Sequence, residues 1–153
     1  MLRKILIIFI LPILFYGCGY SPLYSNTDNK NINIEVFKVK GDQEINNYLL
    51  TNFKQYSGKQ GKTFQLNIDT KYSILDNSKN LEGSISSYQL LAITTFEIKS
   101  KNFDKIITIQ EDIIIKNLGD TFEKRNYEKS IKRNFGNSIF NKLILQLSSI
   151  QWF

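Results

Sequence analysis

The chain of 153 residues contains no histidine and a single cysteine, Cys18. Histidine is the commonest general base and the commonest metal ligand, so hydrolytic triads and most metal-assisted hydrolases have no basis here. One cysteine forms neither an internal disulfide nor a multi-cysteine zinc site. Two carboxylates can share acid–base work, and Glu111-Asp112 is the adjacent acidic pair in a strand-like stretch. Neighbours in a strand point to opposite faces, so these two do not converge on one substrate. Gly58-Lys59-Gln60-Gly61-Lys62-Thr63 faintly echoes a phosphate-binding loop, but it lacks the first glycine at the required spacing and follows a helical pattern instead of a strand. The expectation is a protein that is not an enzyme, with no catalytic residues, no metal and no cofactor.

Positive charge is the remaining chemistry. Lys124, Arg125, Lys129, Lys132 and Arg133 crowd one helical stretch, offset only by Glu123 and Glu128. Lys99, Lys101, Lys105 and Lys116 lie near strand ends. Arginine and lysine suit phosphate, so one reading is an anionic ligand such as the phosphate groups of a lipid. The other reading is the solvated side of a long helix, with Glu128 and Lys132 as an i,i+4 pair. Both readings stand at this stage.

The elements that must position these residues follow from periodicity. Ile32, Ile34 and Val36 alternate with Asn33 and Glu35, a strand over Ile32 to Val39. Asp42 is a plausible N-cap for a helix whose buried stripe is Ile45, Tyr48, Leu49, Phe53 and Tyr56, and Gly58 closes it. Phe64, Leu66, Ile68, Tyr72 and Ile74 alternate with polar residues as a second strand, and Asp76 to Gly83 reads as a turn or longer loop. A third strand runs from about Ser86 to Lys101, with Tyr88, Leu90, Ala92, Thr94, Phe96 and Ile98 on one face. The fourth covers roughly Lys105 to Lys116, where Glu111 interrupts Ile107, Ile109, Ile113 and Ile115; a bulge there would relieve the conflict. Asp120 opens the last helix with capping-box spacing to Glu123. Tyr127, Ile131, Phe135, Ile139, Leu143, Leu147 and Ile150 continue it for about thirty residues, and Gly136 marks a bend or a close approach.

The order β-α-β-β-β-α predicts a two-layer α+β sandwich, a four-stranded mostly antiparallel sheet with two helices on one face. Leu66, Ile68, Leu90, Phe96, Ile109, Phe53 and Leu143 are expected in the core. The other sheet face, carrying Gln65, Asn67, Lys71, Thr95 and Lys116, is left to solvent or to a partner.

The N-terminus carries a different signal. Met1 to Lys4 is short and basic, Ile5 to Tyr16 is apolar apart from Pro12, and Gly17-Cys18 follows, which is the layout of an export signal. The apolar run is too short for a comfortable membrane span of roughly 20 residues. The junction resembles the lipobox of bacterial lipoproteins, in which a small residue precedes a cysteine that is lipidated on sulfur. Gly17 and Cys18 match; Phe15 and Tyr16 stand where the pattern has leucine and a small residue. The expected organisation is a lipoprotein signal peptide over 1–17, a lipidated tether over 18–31 and one α+β domain over 32–153. Without the signal the chain carries eighteen basic and fourteen acidic residues, a formal +4. Such a mild excess suits an anionic partner or solubility alone, and nucleic acid is a poor candidate outside the cytoplasm.

The stretch Cys18-Gly19-Tyr20-Ser21-Pro22-Leu23-Tyr24 resembles the Cys-Gly-Phe-x-Pro-Leu-Tyr start of the lipopolysaccharide (LPS)-assembly lipoproteins of alphaproteobacteria, the LptE family. The element order of that family, ending in a long helix, is similar along the rest of the chain. The resemblance implies lipidation at Cys18 and an outer-membrane location on the periplasmic side; Gly19, which is not aspartate, is compatible with that sorting. It implies a partnership with the large LPS-assembly β-barrel that inserts lipopolysaccharide, whose lumen the lipoprotein plugs, and contact with lipopolysaccharide itself. Lys124, Arg125, Lys129, Lys132 and Arg133 are the candidate lipopolysaccharide-binding residues. An auxiliary lipoprotein of an ABC-type phospholipid transport system, with similar size and start, is the alternative.

Overall fold

A computed structural model of the chain describes residues 32–101 and 103–149. The expected signal peptide, the tether with Cys18 and the end of the last helix at Ile150 lie outside the described residues. Strand β1 is Ile32–Gly41 and helix α1 is Gln43–Phe53, extended by a 3-10 turn over Lys54–Tyr56. Strands β2 (Lys62–Lys79), β3 (Ile85–Ser100) and β4 (Phe103–Lys116) follow, and helix α2 (Thr121–Ser149) closes the order. The sheet has the order β1-β2-β3-β4. β2–β3 and β3–β4 are antiparallel hairpin pairs. β1 and β2 are parallel, because α1 carries the chain back across the sheet between them. The sheet is therefore mixed, with one parallel pair beside two antiparallel ones.

Both helices pack on one face. The alternating residues of β2 and β3 put Phe64, Leu66, Ile68, Leu90, Phe96 and Ile98 under them, none more than 2% exposed. All seven expected core residues are buried, Leu66, Phe96 and Leu143 completely. Phe53 of α1 meets Phe96 and Phe140 edge-on, with ring centroids 6.4 and 5.4 Å apart. Such pairs add to the burial of two large apolar side chains. Gly136 marks close packing: a Cβ there would lie 2.8 Å from Tyr48 Cβ on α1. Gly41 is also required, since its φ is +87° and a Cβ would collide with the Thr70 carbonyl.

Thr94, which lies on an otherwise apolar face, belongs to a buried polar chain. Asn46 Nδ2 donates to the Lys40 carbonyl at 2.8 Å and Thr70 Oγ1 donates to Asn46 Oδ1 at 2.7 Å. Thr70 and Thr94 share a hydrogen bond of 3.1 Å. The chain ties the start of α1 to β2 and β3 and gives the buried Asn46, Thr70 and Thr94 side chains hydrogen-bond partners.

Three local expectations are corrected. No bulge occurs at Glu111, whose strand pairs with β3 in continuous register through Ala92. Helix α2 resolves the conflict instead: Lys142 Nζ lies 2.6 Å from Glu111 Oε1 and Ser138 Oγ donates to it at 2.8 Å. The bulge lies in β1 at Phe37, between Val36 and Lys38. It changes the alternation, so that Ile32, Ile34 and Val36, and then Val39, face the core. The stretch from Asp76 is not loop: β2 continues to Lys79, and only Asn80 to Ser84 turn, closed by Asn80 N–H donating to the Ser84 carbonyl at 2.8 Å. Residues 73–79 are exposed on both faces, so no burial pattern distinguished them from a loop.

Candidate binding surfaces

Helix α2 begins where Asp120 Oδ1 accepts from the N–H groups of Phe122 and Glu123 at 2.6 and 3.1 Å. This cap sets the rotation of the basic stretch, and the structure divides that stretch three ways. Arg125, Lys129 and Arg133, at i, i+4 and i+8, form one exposed ridge roughly 12 Å long. None of the three side chains makes a hydrogen bond or ion pair with another described residue. Lys124 lies over the Tyr88 ring, 4.3 Å from its centroid.

Lys132 points the other way. Its Nζ lies 2.9 Å from Asp42 Oδ2 and 3.7 Å from both Glu44 and Glu128, with 13% of the side chain exposed. It also sits 4.2 Å from the Tyr72 ring centroid. Burial works against its charge, but Asp42, Glu128 and Glu44 outweigh that and raise its pKa. The Tyr72 hydroxyl is buried without a hydrogen-bond partner of normal geometry. Burial first, and then the Glu128 carboxylate, push its ionisation far above the usual tyrosine value. Lys132 is thus a structural tie between α2 and the start of α1, while Arg125, Lys129 and Arg133 face outward. The i,i+4 spacing from Glu128 pointed to one of its partners; Asp42, 90 residues away, carried no sequence signal.

Glu111 and Asp112 are separated as strand geometry requires. Glu111 faces Lys142 and Ser138 of α2, and Asp112 accepts from Gln89 Nε2 at 3.1 Å on the opposite face. Among the described residues no group of three or more potential metal ligands converges. No described helix is long and apolar enough to cross a membrane.

The face of the sheet away from the helices is open. It brings Gln65, Asn67, Lys71, Thr95 and Lys116 together, cross-linked by Asn67 to Glu97 at 3.1 Å and Thr95 to Thr108 at 3.3 Å. It is not purely polar. The register places Leu75, Leu91, Ile93, Ile106 and Ile114 on the same face, with Ile106 69% and Ile114 59% exposed. A second apolar surface, missed in the sequence, is a groove of about 720 Å³ between β4 and the first turns of α2. It is lined by Ile115, Leu118, Phe122 and Tyr127 among others, and Phe122 is 73% exposed. Tyr127 fits the helical spacing of the core stripe but is 45% exposed, lining this groove beside β4.

These elements define a two-layer α+β domain with one uncovered sheet face and one basic helix ridge. No protein-family model matches the chain, and no curated protein matches it in sequence. Solved structures do match in fold. The rare lipoprotein B of Shewanella oneidensis is similar over 73% of this chain and 96% of its own, with a TM-score of 0.55 and 10% identity. An uncharacterized lipoprotein B from Nitrosomonas europaea is similar over 78% of this chain and 90% of its own, with a TM-score of 0.51 and 11% identity. At such identities the likeness is one of fold: this chain has the fold of lipoprotein domains.

Proposed function

We propose that the chain is an outer-membrane lipoprotein, anchored through Cys18 on the periplasmic side, that partners and plugs the lipopolysaccharide-inserting β-barrel. In this reading it supports barrel assembly and the transport of lipopolysaccharide to the cell surface, and it is not an enzyme. The observation that carries the reading is a coincidence of two independent features. The start Cys18 to Tyr24 resembles that family, and it precedes a domain with the fold of solved lipoproteins. The open sheet face supports the geometry, since its mixture of amide, hydroxyl and lysine groups with isolated Ile and Leu side chains suits a polar barrel interior. The ridge of Arg125, Lys129 and Arg133 supports contact with phosphate, because it is positive, exposed and without partners among the described residues.

Purification of the tagged protein from detergent-solubilised envelopes tests the partner. A large outer-membrane β-barrel should be recovered, and depletion of the protein should reduce barrel assembly and surface lipopolysaccharide. Recovery of an inner-membrane ABC-type phospholipid transporter in place of the barrel would overturn the reading in favour of the transport-system alternative. The anchor is tested separately: Cys18→Ser should abolish lipid incorporation, and an unmodified Cys18 in the mature wild-type protein, seen by intact mass, would refute it.

A further inference from the structure

One concavity belongs to neither the helix ridge nor the middle of the open sheet face. It has a volume of about 650 Å³ and is lined by Gly61, Lys62, Thr63, Gln65, Lys99, Ser100 and Lys101. Its three charged lining residues are all lysines. Lys99 and Lys101 are exposed and form no ion pair with another described residue. Asp104, exposed on β4 opposite Lys99, and Glu35, exposed on β1 opposite Gln65, are the acidic neighbours on the same face, while Lys105, opposite the core residue Ile98, lies on the other face. Ser100 Oγ donates to the Thr63 carbonyl at 3.1 Å, which pins the rim where β2 and β3 meet.

The position of this concavity gives it a meaning. Ile32, the first residue of β1, pairs directly with Lys62, so the chain enters the domain beside the lysines. Cys18 precedes Ile32 by fourteen residues, which span at most roughly 45–50 Å when extended. The helix ridge starts at the other end: Lys124 lies over Tyr88, which is eleven residues from Lys99 along β3, or roughly 36 Å. In a domain tethered from Ile32, the lysine concavity lies at the end where the tether enters. Lysines near an anionic leaflet are attracted to it within a Debye length.

We infer that the Lys62, Lys99 and Lys101 concavity docks onto the phosphate headgroups of an anionic phospholipid surface and so sets the orientation of the tethered domain. The inference rests on the anchored reading above, and it adds a contact that the lipid alone does not provide. Each lysine contributes a factor of roughly five to the docking equilibrium near an anionic surface, so Lys99 and Lys101 together shift it by roughly twenty-five-fold.

The test uses the full mature protein, purified from membranes in detergent and diluted onto vesicles of phosphatidylcholine alone or of phosphatidylcholine mixed with phosphatidylglycerol. Flotation reads attachment, and acylation by a membrane-impermeant amine reagent, mapped by peptide mass, reads which surface is covered. On the anionic vesicles Lys99 and Lys101 should acylate several-fold more slowly than on the neutral ones, with Lys129 unchanged and the difference lost at high salt. A Lys99→Glu, Lys101→Glu double variant should float as the wild type does but acylate Lys62, on the same concavity, equally on both vesicle types. Equal acylation of Lys99 and Lys101 on both vesicle types, with the protein attached, overturns the proposal. So does protection of Lys129 in their place, which would mean docking through the ridge. Flotation on anionic vesicles only would refute the Cys18 anchor while supporting the lysine surface. Flotation on neither would overturn both.

Discussion

Replacing Lys132 with methionine separates the two readings of the basic stretch. The side chain sits among Asp42, Glu44 and Glu128, with the shortest contact 2.9 Å to Asp42. An exposed ion pair contributes about 0–1 kcal/mol. A fully buried one broken on one side costs about 3–5 kcal/mol. With Lys132 and Asp42 at 13% and 15% exposure, but Glu128 and Glu44 at 25% and 35%, this cluster lies between the limits. Asp42 keeps its bond from the Ile45 N–H at 2.9 Å, so α1 stays capped. The expected loss is about 2–3 kcal/mol, which in a domain of this size lowers Tm by roughly 8–12 °C. Circular dichroism during heating at neutral pH measures it. Lys129→Met, on the exposed ridge, should stay within about 0.5 kcal/mol of wild type. The pH dependence adds a check. The folded pKa of Lys132 is raised above its ordinary 10.5. Its contribution is therefore complete below the unfolded value and lost as pH rises through the folded one. The difference between wild type and Lys132→Met should thus be constant near neutrality and shrink only above about pH 10.5. Equal Tm values for the Lys132 and Lys129 variants would refute the inward placement of Lys132.

Tyr72→Phe removes a buried hydroxyl that has no hydrogen-bond partner of normal geometry among the described residues. Stability at neutral pH should be unchanged or higher by up to about 1 kcal/mol in a urea titration. The same change should weaken the alkaline loss of stability, because the folded pKa of Tyr72 lies above its unfolded 10.0, so that its stabilising share is complete below pH 10 and lost above it. Gly136→Val forces a Cβ, with two further methyl groups, into the 2.8 Å gap to Tyr48, and overpacking should cost about 2 kcal/mol or more by the same titration. A triple change of Arg125, Lys129 and Arg133 to Glu should leave thermal stability nearly intact and weaken lipopolysaccharide binding, more at low salt than at high, in a binding titration at two ionic strengths. Unchanged binding at low salt would assign the ridge to solvent and leave the barrel partnership standing.

Periodicity by itself determined most of the fold. Side-chain period is a local property, 2 in a strand and 3.6 in a helix, so burial of one face writes itself into neighbouring residues. Phe64 to Ile74, Leu90 to Ile98 and Ile131 to Leu147 carried that record, and with it the element order, the core and the helical placement of the basic stretch. The segment after Asp76 carried none, because both faces of that arm meet water. The N-terminal pattern around Cys18 was likewise legible only as sequence. What the tertiary structure alone decided was pairing at a distance. A helix face has an amphipathic signature, but the partner opposite it has none. So Glu111 looked like a strand defect until α2 brought Lys142 over it, and Lys132 looked like part of a ligand surface until Asp42 met it from the far end of the chain. The mixed apolar and polar character of the open sheet face has the same origin. Ile106 and Ile114 alternate like any strand residues, and only the packing of both helices on the other side left them uncovered.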